Sequence, residues 1–214
     1  RSIADSVQTI YRYGIVVNAG YILGFDTETT GVAQGMIDCI QATAVPVDMA
    51  GLLFALPTTQ LSRRLQKEGR LHEGYELQPE GVGDQCTAGL NFDTLRPRAD
   101  ILRDYLTVIE TIYQPESYFK RVRHVGRVLD SSKRRFRAAL FRQIKEFYAF
   151  MRMASRLGVG RATRSQFWRT VLYCLWHNGK SMRQTGAMIG LYLHFGPFSE
   201  FIASRIRGAL VQEE

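Results

Sequence analysis

The sequence predicts an α/β fold followed by an all-α one: a partial (β/α) barrel succeeded by a helical bundle. Three observations predict it. Residues 1–71 alternate between helix-period segments and short, glycine-punctuated apolar runs, in the order α-β-α-β-α. From Pro97 onward only the helical period remains. Between them, Leu71 to Leu95 holds several glycines and acids and no strong period, which reads as a long loop. The expected organisation is therefore barrel residues 1–71, a connecting loop 72–96, and a helical domain 97–214.

Each element has a local reason. Ser2 to Tyr13 places Ile3, Val7 and Ile10 on one stripe, and Gly14 is a stop signal. Ile15 to Phe25 is β-branched and glycine-rich, the pattern of a strand buried on both faces. Thr27 to Gly31 is a polar turn, and Val32 to Ala44 regains helix periodicity through Met36, Ile37 and Ile40 until Pro46 ends it. Met49 to Leu56 reads as a second buried strand. Thr59 is a suitable N-cap for Gln60 to Glu68, with Gly69 as the C′ residue. Buried strands joined by helices imply parallel pairing with right-handed crossovers. Such a pair is expected to bury Ile22 and Leu53 and to leave one sheet edge bare.

The second part predicts about six helices. They are Ala99 to Tyr113, Pro115 to Leu129, Phe136 to Leu157, Ala162 to Trp176, Ser181 to Leu193 and Ser199 to Leu210. Pro115 suits a first turn. Phe136 to Leu157 carries an apolar arc beside a basic one formed by Arg135, Arg142, Lys145, Arg152 and Arg156.

Composition excludes several classes. An apolar share of 45% supports a core, yet no run approaches the roughly 20 apolar residues of a membrane span. The polar start Arg1-Ser-Ile-Ala-Asp5 lacks a secretory h-region, and it lacks an initiator Met, so a fragment of a longer protein is expected. Cys39, Cys86 and Cys174 are odd in number and far apart, which argues for a reducing, cytoplasmic setting and for three small buried hydrophobes. No two sit at metal-clip spacing, so no metal ligands are assigned. His72, His124, His177 and His194 show no ligand spacing, and no catalytic residue is assigned.

The net charge of +8 lies mostly after Phe119, an asymmetry that can mark a nucleic-acid or anionic-membrane contact or a solvated face. Trp168, Tyr173, Trp176, Tyr192 and Phe195 read as core rather than as a stacking platform. Asn91 and Arg96 to Arg98 stand where loop gives way to helix; they read either as a polar tie between loop backbones or as a wall of an active site.

Gly20-x-Ile22-x-Gly24 sits at the carboxyl end of the first strand, where α/β sheets place ligand sites. Glycine there lets a flat ligand approach the backbone, and Ile22 could pack under an adenine-like ring. Two strand glycines also mark bulges or tight packing. Pro57-Thr58-Thr59 ends the second strand.

In this context the segment resembles the radical S-adenosylmethionine superfamily, whose fifth barrel strand carries Gly-x-Ile-x-Gly beneath the cofactor's adenine. The family's acid three residues after the second glycine would fall on Thr27, so no acid is carried over. Ala55 to Leu61 resembles the sixth strand, with Thr58 in place of the usual glycine. Cys86-Thr-Ala-Gly-Leu90-Asn91-Phe92 through Arg98, and Tyr113-Gln-Pro115 through Val122, resemble a helical extension in a cobalamin-binding, hopanoid-methylase-like subgroup. The family's Cys-x3-Cys-x2-Cys motif is absent.

The resemblance implies the carboxyl-terminal portion of such an enzyme, a cobalamin-dependent methyltransferase or lipid-modifying enzyme. Gly20, Ile22, Gly24, Pro57, Thr58 and Thr59 would bind S-adenosylmethionine. The parent would hold the 4Fe-4S cluster, the subgroup's cobalamin would be a further cofactor, and the fragment alone would be inactive. The implied partners are the rest of the parent chain, a small-molecule or lipid substrate, and peripherally an anionic membrane. The rival class is a basic helical module binding nucleic acid or anionic membrane; no aromatic–glycine signature supports nucleic acid.

Overall fold

The computed structural model describes residues 2–72, 86, 89–131 and 140–213, without the side chains of 140–143. Most of the expected loop and the start of the helix expected from Phe136 lie outside the described residues. The order is α1 (Ile3–Arg12), β1 (Asn18–Leu23), α2 (Val32–Thr43), β2 (Val47–Leu52), α3 (Gln60–Lys67), α4 (Arg98–Ile112), α5 (Pro115–Val128), α6 (Leu140–Leu157), α7 (Arg164–Asn178) and α8 (Met182–Glu213). Among the described residues β1 and β2 form a two-stranded sheet. The fold is thus mostly helical, α/β first and all-α after.

The chain divides into two compact units. The first comprises Arg1–Ala19, Asp38–Asp48 and Ile112–Phe198. Its α1 starts in a capping box, with Asp5 N donating to Ser2 Oγ at 3.1 Å and Ser2 N to Asp5 Oδ2 at 3.4 Å. α5 and α7 pack closely because Gly126 presents no side chain: a Cβ there would lie 2.6 Å from Cys174 Sγ. Tyr118, Phe119 and Tyr192 form an aromatic cluster with ring centroids 4.9–5.7 Å apart. Beneath it Arg121 is fully buried and gives Nε to Val45 O at 2.9 Å and Nη2 to Ile112 O at 2.8 Å. Its Nη2 also pairs with buried Asp48 at 3.4 Å. Burial pushes the Asp48 carboxyl up to about 6, and the Arg121 charge only partly opposes that.

The second unit comprises Gly20–Ile37, Met49–Thr111 and Ser199–Glu214. Leu23, Leu52, Leu65, Leu90, Phe92, Tyr105 and Ile109 lie in its core. The chain just past β2 is held on both sides: Leu53 N donates to Leu23 O at 2.7 Å, and Leu90 N donates to Leu53 O at 2.7 Å. Asn91 continues the tie, accepting from Ala55 N at 2.8 Å and donating to Ala55 O at 3.2 Å. Of the two readings of Asn91, the structure selects the backbone tie.

Four expectations are corrected. Leu53 is buried but Ile22 is 41% exposed, because residues 18, 20 and 22 share a face of β1 that no layer of the described residues covers. For the same reason β1 is not buried on both faces, and it is shorter than Ile15 to Phe25. The two helices expected at Ser181 to Leu193 and Ser199 to Leu210 are one helix of 32 residues running through Pro197. Gly196 explains the tolerance, since a pre-proline residue without a Cβ avoids much of the clash that bars helical backbone there. Finally, Tyr192 and Phe195 are core, but Trp168 is 41% and Trp176 88% exposed.

Candidate functional site

The carboxyl end of the sheet, in the second unit, gathers the residues singled out above and divides their roles. Gly24 adopts φ +110°, and a Cβ there would meet Leu90 Cδ2 at 2.5 Å. Its requirement for glycine is thus conformational and steric. Gly20 is different: a Cβ there would have nothing within 4 Å, so it borders open space beside the outward Ile22. Pro57 and Thr58 are exposed. Thr58 has φ +67°, the left-handed region that suits glycine and strains a β-branched residue. Thr59 caps α3, accepting from Ser62 N at 3.2 Å. An open strand face and an exposed turn are thereby presented at the ends of β1 and β2.

The turn after β1 carries two carboxylates that sequence reasoning did not assign. Asp26 accepts from Arg70 Nη2 at 2.7 Å and from Arg64 Nη2 at 2.8 Å. The Arg70 hydrogen bond, above all, holds its carboxyl below the usual range, outweighing partial burial. Arg70 also gives Nε to Asp93 O at 2.7 Å. Glu28 Oε1 receives Gly24 N at 2.8 Å and Phe25 N at 3.1 Å, and Oε2 lies 3.6 Å from Arg96 Nη1. Arg96 reaches on to Asp104 at 2.7 Å, and Arg98 donates to Leu90 O at 2.6 Å. These groups brace the turn and the returning 89–98 segment: Asp26 takes donors from two arginines and Glu28 Oε1 takes two backbone amides, while Glu28 Oε2 and Arg96 Nη1 face each other as a buried ion pair without a hydrogen bond. Pairings 38 and 44 residues apart along the chain leave no local spacing signal.

Beside them a cavity of about 580 Å³ is lined by His72, Phe92, Asp93, Arg96, Arg98 and Glu213, among others. His72 Nε2 lies 2.9 Å from Asp93 Oδ1. Among the described residues no group of three His, Cys, Asp or Glu could hold a metal ion. Cys86 and Cys174 are buried and Cys39 is half-buried, all as free thiols, and burial pushes Cys174 up to about 11.

In the first unit, Lys145, Arg152, Arg156, Arg161 and Arg164 are exposed, while the Arg142 side chain lies outside the described residues. α7 presents Trp168, Leu172, Leu175 and Trp176 to solvent at positions i, i+4, i+7 and i+8, a single helical face. No described helix is long and apolar enough to cross a membrane.

Comparison with known proteins agrees with the resemblance. The chain is 30% identical over 205 residues, 96% of its length, to an uncharacterized methyltransferase of Synechocystis sp.. It is 36% identical over 119 residues, 56% of its length, to a hopanoid C-2 methylase of Rhodopseudomonas palustris. The aligned regions cover 37% and 20% of those two relatives. No solved structure matches significantly. The profile of a domain of unknown function, DUF4070, matches residues 59–208, which is most of the chain, and the chain belongs to that family.

Proposed function

We propose that this chain is the carboxyl-terminal part of a radical S-adenosylmethionine enzyme, a cobalamin-dependent methyltransferase or a related lipid-modifying enzyme. The observation that carries the reading is the uncovered face of β1: Gly20 borders open space and Ile22 stands exposed beside it, a surface that fits a flat ring. The relatives' names support the same class. Gly20 and Ile22 would lie along the adenine, Gly24 would fix the strand end, and Pro57, Thr58 and Thr59 would form the neighbouring turn. S-adenosylmethionine, when bound, supplies the one-carbon or radical chemistry; these residues bind and orient it. The described residues do not fit an iron–sulfur cluster, whose ligands would come from elsewhere in the parent, and no group among them is assigned to cobalamin.

The test uses the full-length enzyme. Gly20→Val adds a side chain into open space and should spare the fold, yet raise KM for S-adenosylmethionine at least tenfold, or about 1.4 kcal/mol. An unchanged KM in the folded variant would overturn the assignment. The 214-residue chain, reconstituted with iron and sulfide, should not cleave the cofactor; turnover would sink the reading.

A second reading, peripheral contact with an anionic membrane, is favoured by the Trp168, Leu172, Leu175, Trp176 face and its neighbouring arginines. Tryptophan and leucine over a basic rim form the usual interfacial pattern.

A further inference from the structure

We infer that the first unit contains a binding site for a long-chain anionic amphiphile, between α6 and α8. A cavity of about 740 Å³ opens there, within the range of small-molecule sites. Its floor is apolar, with Phe150 and Met153 from α6 facing Met182 and Leu193 from α8. Two glycines of α8 make the room. A Cβ at Gly186 would have nothing within 4 Å, and one at Gly190 would make only ordinary contact with Met153 Sδ at 3.6 Å.

The charges on the lining are of one net sign. Glu146 is taken by Arg183 at 3.2 Å, a pair that bridges the two helices. Arg152 and Arg156, one turn apart on α6, also line the cavity, and neither has a carboxylate partner among the described residues. An apolar trough that also carries two guanidiniums without a carboxylate partner among the described residues is complementary to an acyl chain that ends in a carboxylate or phosphate. The chain would displace water from the methionines and Phe150, and the head would pair with the arginines. A neutral lipid would leave both cations unused, and a short anion would leave the trough wet. This inference does not rest on the cofactor reading above; it concerns other residues and another unit.

Isothermal titration of the 214-residue chain with monomeric oleate, oleoyl lysophosphatidate, oleyl alcohol and acetate tests it. Oleate or the lysophosphatidate should bind, and which of them binds tighter identifies a carboxylate or a phosphate head. The alcohol should bind at least tenfold more weakly than the better anion, and acetate should not bind measurably. Arg152→Gln with Arg156→Gln should weaken the better anion about tenfold and leave the alcohol unchanged. Gly186→Leu should abolish binding of both while holding or raising the thermal midpoint, because leucine is the better helix former and its Cβ meets open space. Equal affinity for alcohol and anion, or binding that survives Gly186→Leu, would overturn the proposal.

Discussion

Single residues carry several of the structure's least replaceable interactions. Thr58 sits at φ +67° in the turn after β2, where a Cβ is strained by roughly 1–2 kcal/mol. Thr58→Gly is therefore expected to stabilise the chain, by up to about 1 kcal/mol once glycine's extra unfolded-state entropy is subtracted. A rise in the midpoint of urea unfolding checks this. Arg121 offers a pH-dependent case. Because the Asp48 carboxyl is raised from 3.8 to about 6, the folded state holds its proton more tightly than the unfolded chain does. Its contribution to stability is thus greatest below about pH 4 and declines as pH rises through 6. Removing Arg121 takes away the cation paired with it and raises the carboxyl further. Arg121→Ala should cost about 3–5 kcal/mol near pH 8, where Asp48 would be a buried charge without its partner. The loss should be smaller at pH 5, where Asp48 takes a proton. Urea melts at the two pH values measure the difference, and equal losses would contradict it.

At the scale of elements, the start of α3 shows how legible a local signal can be. Thr59 as cap and Gly69 at φ +68° were both readable from residue type. α8 shows the limit. Its proline reads as a boundary, and only the backbone shows that the helix runs through it. The amphipathic period likewise located α7 but not its exposed side, since Trp168 and Trp176 look like core in any sequence. Ile22 failed for a related reason: a β-branched, glycine-rich strand reads as buried on both faces, and what covers a face is not written in the strand itself. The Asp26 and Glu28 braces needed the tertiary fold to bring their arginines near. The α5–α7 crossing yields a prediction in which packing and propensity oppose each other. Gly126→Ala gains about 1 kcal/mol of helix propensity. Its methyl, however, would stand 2.6 Å from Cys174 Sγ and 2.8 Å from Thr185 Oγ1, both buried. Overpacking of that kind costs about 1–3 kcal/mol, so the thermal midpoint should fall. Cys174→Ala in the same chain should restore part of it.

For the whole molecule, a net charge of +8 and the exposed α7 face set the expectation for anionic surfaces. Each cation near such a surface contributes about 1 kcal/mol, screened by salt, while buried indole and leucine area does not weaken with ionic strength. Sedimentation with vesicles containing anionic lipid should therefore show binding that weakens with salt. Arg152→Glu with Arg156→Glu should release the chain at low salt, and Trp176→Ser should lower binding at every salt concentration. Unchanged sedimentation in both folded variants would leave the face merely solvated.

The outer side of β2 has a further consequence. The Asp48 carbonyl accepts from Tyr113 Oη at 2.6 Å, and two residues on the Ala50 carbonyl accepts from Tyr105 Oη at 3.0 Å. Beyond the strand, Leu90 occupies the carbonyl of Leu53. Carbonyls that would otherwise receive a neighbouring strand are thus plugged by phenols and by the returning chain. A new strand added on that flank would first have to evict them. A second copy of the chain in a concentrated solution would meet these occupied carbonyls before it could extend the sheet past β2.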